Sequence, residues 1–347
     1  MPKSVRHSGV ELLRIVSMLM VLAVHFDGAS IGLAEPVSLS QTDGEWWWRT
    51  IVESLAIVGV NCFTLISGYF GIRASVKGLL MFVSTCVFYS VAIYCGNVAF
   101  GATFEPQKFA ESFLAIIHTE LWYVPAYLCL YLISPFINIV VEKIGLRRLT
   151  ACTATFIAFN LYAGWWWHGS FNPTGYTVVQ LIMMYFIGRT VSAWITTHPH
   201  FLRRSLRYGL LLYAVASVCT MLSAAYMPAL QVYAYNSPLV VAASIGLLLA
   251  AIGLNFRSST LNYIAKSSFA AYLIHKNPAV WRNVVKPMSV ATWAEGNLWL
   301  MTGAMLLFML ATFACAVCAE EFRRRICAPI IELLTIAIHK FERSLPI

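Results

Sequence analysis

Charge is what this sequence has least of. Asp, Glu, Lys and Arg together make up 11% of its 347 residues, against about a quarter in soluble globular domains. With 59% hydrophobic residues, that scarcity excludes an ordinary soluble protein. P-loop, G-x-G-x-x-G and H-E-x-x-H patterns are missing, so phosphate-cradling, dinucleotide and zinc-protease chemistries have no sequence support. The nine cysteines are scattered and form no disulfide framework. Cys315 and Cys318 make a C-x-x-C with no second pair or histidine nearby, which reads as core packing. His198 and His200 flank a proline but are too few for a metal site, and no metal is expected. There is no internal repeat, and the longest stretch between hydrophobic runs is about 24 residues, 28–51, too short for a soluble domain.

What is present is a succession of apolar runs long enough to cross a bilayer. They lie near 10–27, 52–70, 78–100, 121–141, 150–167, 177–195, 208–227, 237–254, 262–280 and 298–319. The fold class that follows is all-α, a polytopic transmembrane helical bundle of about ten spans forming one integral-membrane domain over 1–347. With the N-terminus in the cytoplasm, eighteen of the 24 Lys and Arg fall on the inner side and five on the outer, with Arg14 the remaining one. That asymmetry obeys the positive-inside rule and makes both termini cytoplasmic. Topology and anionic lipid headgroups account for the net charge of +9; nucleic acid is not an expected partner. Residues 1–27 are not expected to be a cleaved leader, because Arg14 interrupts the run. Trp46–Trp48 and Trp165–Trp167 fall where outer aromatic belts belong.

Ionisable residues inside such runs are costly and usually functional. Arg14 and His25 occupy the first run with ten residues between them. Eleven steps of about 100° return to the same helix face, about 16 Å further along. Glu11 lies one turn before Arg14 on that stripe. The alternative is a structural pair, or a snorkelling arginine with an unrelated core histidine. In the second run Asn61, Thr64 and Gly68 share a face with Ser67 beside them, as a polar site or as close helix packing. His25, His118, Glu120 and His275 belong to the outer half of the bundle, and Arg14, Arg73 and Lys77 to the inner half. Trp122 and Tyr123 suit either sugar stacking or interfacial anchoring.

Four blocks in order carry a family resemblance: Glu11-Leu-Leu-Arg14 with His25, the GVNCFTLISGYF stretch (59–70), LWYVPAYLCLYLISPFIN (121–138) and SFAAYLIH (268–275). Together they resemble the integral-membrane acyltransferase-3 family, bacterial proteins that O-acylate surface glycans, in its short form without an esterase-like domain. The resemblance implies a bacterial cell-membrane enzyme with acetyl-CoA or another acyl-CoA as donor and a sugar hydroxyl of a surface polysaccharide or lipid-linked glycan as acceptor. It makes His25 the catalytic base, with Arg14 and Glu11 in the catalytic motif. Donor binding is expected from Arg14, Arg73, Lys77, Asn61 and Ser67, and acceptor binding from His275, Tyr272, Trp122, Glu120 and His118. Relatives often carry aspartate where Glu11 and Asn61 stand, so no carboxylate is assigned as the partner of His25. Two other classes fit the composition: a secondary transporter or glycan flippase, which would show paired broken helices, and a non-catalytic assembly partner.

Overall fold

The computed structural model describes residues 7–38, 40–117, 120–167 and 169–344. Among them there is no strand; the chain is a bundle of helices. The principal ones are α1 (Ser8–Phe26), α2 (Gly44–Ala56), α3 (Gly59–Phe70), α4 (Val76–Ala99), α5 (Tyr123–Lys143), α6 (Leu146–Phe159), α7 (Val178–Thr197), α8 (Leu202–Ser223), α9 (Pro238–Gly253), α10 (Ser268–His275) and α11 (Leu298–Ser344). Their starts follow local chemistry. Asp43, Ser75 and Thr177 accept from the backbone N–H groups of Trp46, Gly78 and Gln180, covering donors that an apolar surrounding would leave unpaired. Pro238 opens α9 at a position where its missing N–H costs nothing.

Among the described residues, seven helical segments are long and apolar enough to cross a membrane: Ser8–Ile31, Gly44–Phe70, Val76–Ala99, Tyr123–Lys143, Val178–Thr197, Pro199–Ser223 and Leu298–Ile338. The other three expected spans are helical but shorter or interrupted. The 237–254 run yields the 16 residues of α9, about 24 Å of helix and largely buried. The 150–167 run changes from α6 to a π-helical turn at Asn160–Trp166. The 262–280 run is divided by a 3-10 turn at Ala265–Ser267 and by the Asn277–Pro278 step. Its breaks place backbone and polar side chains next to the first helix, a feature hydropathy does not report.

α1 runs through the middle of the bundle, against α3, α9, α10 and α11. Close approach in the core depends on small residues: a Cβ on Gly68 of α3 would strike the backbone of Tyr185, and one on Gly188 of α7 would strike Leu65. This is the small-residue packing of membrane helices. Pro135 lies within α5 and cannot donate to the carbonyl one turn back. The Ser134 hydroxyl instead donates to Tyr131 O at 2.8 Å, so the helix continues without an orphaned acceptor. α11 is 47 residues long. Inside it Glu320 binds Arg323 and Arg324 and accepts from Tyr89 Oη of α4 at 3.2 Å. The C-x-x-C pair does not pack in the core as expected: Cys315 and Cys318 are exposed on the outside of α11, because the buried stripe there passes through Phe313 and Ala316.

Candidate active site

Arg14 and His25 line the same cavity, of about 270 Å³. Its walls are Met18 and Val21 between them on α1, Val60 and Phe63 on α3, and the aromatic rings of Phe82, Trp122, Tyr123, Tyr127, Tyr235, Phe269 and Tyr272. Arg14 is joined at its end by Lys266 and Ser268, and the Ser268 hydroxyl donates to Arg14 O. Behind the arginine, Glu11 is buried and approaches its guanidinium at 3.8 Å. The cavity thus has a cationic end, an aromatic barrel and an imidazole about 16 Å along α1 from the arginine.

The imidazole is fixed from behind. His25 Nδ1 lies 2.7 Å from His275 Nε2, and His275 Nδ1 lies 2.6 Å from the carbonyl oxygen of Ala271. A carbonyl only accepts, so His275 carries its proton on Nδ1 and, when neutral, offers a lone pair at Nε2. His25 must then donate from Nδ1. The tautomer that follows from these two contacts leaves the lone pair of neutral His25 on Nε2. The ring is further held by Trp281, edge-on with centroids 5.9 Å apart, and Lys276 Nζ sits 3.8 Å over that indole.

The backbone beneath His25 is equally constrained. The last carbonyls of a helix have no partner within it; here Ser30 Oγ donates to His25 O at 2.7 Å and Ser289 Oγ donates to Phe26 O. The next residue, Asp27, is buried and paired with Arg49 at 3.0 Å, whose guanidinium lies over Trp293.

The family model described as an acyltransferase domain matches residues 7–321, which takes in every residue of this cavity. The chain belongs to the acyltransferase-3 family. It is a membrane acyltransferase. Neither a curated protein nor a solved structure matches it.

Within this acyltransferase the structure gathers Arg14, His25, Ser67, Trp122 and Tyr272 around one space and sends other expected site residues elsewhere. His275 is not on the cavity wall; it is 1% exposed and lies behind His25. Asn61 lines no part of the cavity either. It is wholly buried, donates to Tyr235 O at 2.8 Å and accepts from Gln180 Nε2 at 3.2 Å. Gln180 in turn is held by Asn160 and Asn172, and this amide network fixes the segment that carries Tyr235 into the cavity. Arg73 and Lys77 are exposed and line no part of it, because Gly71 ends α3 and turns the chain away. Glu120 is exposed and paired with Arg282 at 2.7 Å. His118 lies outside the described residues.

Lys266, Tyr235 and Trp281 were not singled out by sequence. Lys266 had a signal, standing two residues before the SFAAYLIH block. Tyr235 and Trp281 had none, because a turn at Tyr235 and a π-helical turn at Trp281–Val285 bring them in.

The amide network carries a prediction. Asn61→Ala should lower stability by about 1–3 kcal/mol, the cost of leaving a buried amide partner unsatisfied. The detergent-solubilised protein should unfold at a lower temperature, while donor affinity measured below that temperature should hold. Loss of donor binding with unchanged stability would return Asn61 to the donor site.

Proposed function

We propose that this acyltransferase moves an acyl group, acetyl in the first instance, from cytoplasmic acyl-CoA to a sugar hydroxyl of a surface polysaccharide or lipid-linked glycan at a bacterial cell membrane. The observation that carries the reading is one cavity joining a cationic end, Arg14 and Lys266, to an imidazole whose Nε2 lone pair is left free. The family supplies the reaction class, and the charge asymmetry of the loops supplies the side of entry.

A cavity of about 270 Å³ is at the small end of ligand pockets. It suits the acyl group and the slender arm of the donor, while the nucleotide and its phosphates stay at the mouth with Arg14 and Lys266. A sugar hydroxyl is a weak nucleophile at neutral pH. His25 Nε2 takes its proton as the oxygen attacks the thioester carbonyl. The new C–O bond forms, the C–S bond breaks, and the proton held on Nε2 passes to the departing thiolate. The aromatic walls keep water out, which protects the thioester from hydrolysis. His275 acts through His25 and is a positioning residue.

The test supplies labelled acetyl-CoA, and then longer acyl-CoA donors, from the cytoplasmic face of membranes carrying the protein. Label is then counted on extracted glycans. Label that depends on the protein supports the reading and identifies the acceptor by fractionation; no label on any glycan with any donor overturns it. In the same assay Arg14→Ala and Lys266→Ala should each raise the donor KM about tenfold, equivalent to about 1.4 kcal/mol, with a smaller effect on kcat. Unchanged donor KM in both variants would remove the cationic end from donor binding.

A further inference from the structure

A second, larger cavity of about 630 Å³ lies on the outer-half side of the first. It opens between the C-terminal half of α4, the 102–112 segment, and the stretch from Asn277 to Asn283. Its chemistry differs from that of the first. Ser90, Asn97 and Asn283 present a hydroxyl and amides, while Tyr94 Oη is bonded to the backbone of Glu105 and Asn277 Oδ1 accepts from the N–H of Ala279. Four of the five charged groups on its wall are paired with one another, Lys108 with Glu105 at 2.7 Å and Arg282 with Glu120 at 2.7 Å; the fifth, Glu111, accepts from the neutral amide of Gln107 at 2.9 Å. Among the described residues both lining cations, Lys108 and Arg282, are therefore paired, and neither is left over for a phosphate or carboxylate. The side chains of Asn97, Asn283 and Ser90 make no hydrogen bond to the described residues, leaving donors and acceptors free for a ligand.

The two cavities are one layer of side chains apart. Leu121 lines the outer one and Trp122 the inner; Leu273 lines the outer one and Tyr272 the inner. Trp281, whose indole lies edge-on to His25, sits between Ala279 and Arg282 of the outer wall. Trp281 therefore connects the outer wall to the His25 imidazole.

We infer that the outer cavity docks an uncharged, hydroxyl-rich ligand, a neutral sugar unit of the acceptor that does not itself react, while the reacting hydroxyl reaches His25 Nε2 in the inner cavity. The inference rests on the glycan-acyltransferase reading and names where that acceptor docks. Recognition comes from neutral amides and hydroxyls with the Tyr94 ring beside them, so phosphorylated or acidic sugars are poor ligands, facing Glu111 with no unpaired cation among the described lining residues to offset their charge.

The experiment is photolabelling of the full-length protein in membranes, which needs no turnover. Two probes carry a diazirine on a neutral sugar, one as a free oligosaccharide and one on a lipid tail. A photoreactive anionic phospholipid serves as the competing class. Label from either sugar probe on residues 90–112 or 277–283 is expected, in wild type and in His25→Ala alike, and the better probe tells a lipid-linked acceptor from a free one. Ser90→Trp, which fills the cavity, should reduce that label at least fivefold. Should this variant fail to fold, the double variant Asn97→Ala/Asn283→Ala should reduce it as well. In turnover, either variant should raise the acceptor KM about tenfold and leave the donor KM unchanged. Sugar label elsewhere only, label insensitive to these variants, or preferential labelling of these residues by the phospholipid would overturn the site. Intact sugar labelling with no acyl transfer would instead overturn the reaction and leave the sugar site standing.

Discussion

His25→Ala membranes should transfer acyl groups about a thousandfold more slowly than wild type, within the 10²–10⁴ range a general base contributes. The protein should remain folded. His25 lies at the wall of a cavity, and its backbone is held by the Ser30 and Ser289 hydroxyls regardless of the side chain. Donor affinity should also survive, because Arg14 and Lys266 are untouched. The measurement is steady-state turnover alongside equilibrium binding of labelled acyl-CoA to the same preparation. Binding without turnover is the expected pattern. Wild-type turnover in a properly assembled His25→Ala protein would remove the imidazole from the chemistry.

His275→Ala should lower kcat about a hundredfold, with the donor KM close to wild type. The argument is tautomeric. With Ala271 O fixing the proton on His275 Nδ1, the lone pair at Nε2 holds the His25 proton on Nδ1; without it, His25 is free to rotate or to carry its proton on the nitrogen that should act. A merely structural role would predict equal damage from any replacement. The positioning role predicts partial rescue by His275→Gln, whose side-chain oxygen also accepts from His25 Nδ1–H, and none by His275→Phe. Nitrogen NMR of labelled imidazole gives a second readout, with the Nδ1–H form of His25 in wild type and mixed tautomers in His275→Ala. Equal activity of the Gln and Phe variants would refute the tautomer argument.

Much of this was legible in the chain and some was not, for reasons that can be named. Helical periodicity is a property of one segment, so the common face of Arg14 and His25 could be read directly, and their shared cavity follows from it. The membrane class was equally open to reading, because a charge-poor chain with long apolar runs has few other solutions. What joins segments far apart in sequence was hidden. His275 is 250 positions from His25, and nothing along either helix says that the two rings meet. Asn61 shows the same limit: a polar residue on an apolar helix serves a ligand or a neighbour, and the carbonyl of Tyr235 decides which. The ten apolar runs are helical, but which of them are interrupted was not legible, since hydropathy averages over single polar residues such as Asn160, Ser267 and Asn277. Cys315 and Cys318 were misplaced because in a bilayer an outward-facing apolar residue costs nothing, so hydrophobicity does not mark the core.

The short chain of contacts behind His25 has a bioenergetic consequence. In pumps, relays of Asp, Glu and His pass protons from group to group across the membrane. Here the relay stops after two rings at a peptide carbonyl, Ala271 O, which can accept a hydrogen bond but cannot carry the proton onward. A proton taken up by His25 Nε2 must leave by the same nitrogen. In the proposed reaction an acyl group travels outward, one hydrogen returns from oxygen to sulfur, and no net charge crosses the bilayer. On that proposed reaction, acyl transfer would be electrically silent, driven by the thioester alone with nothing drawn from the membrane potential.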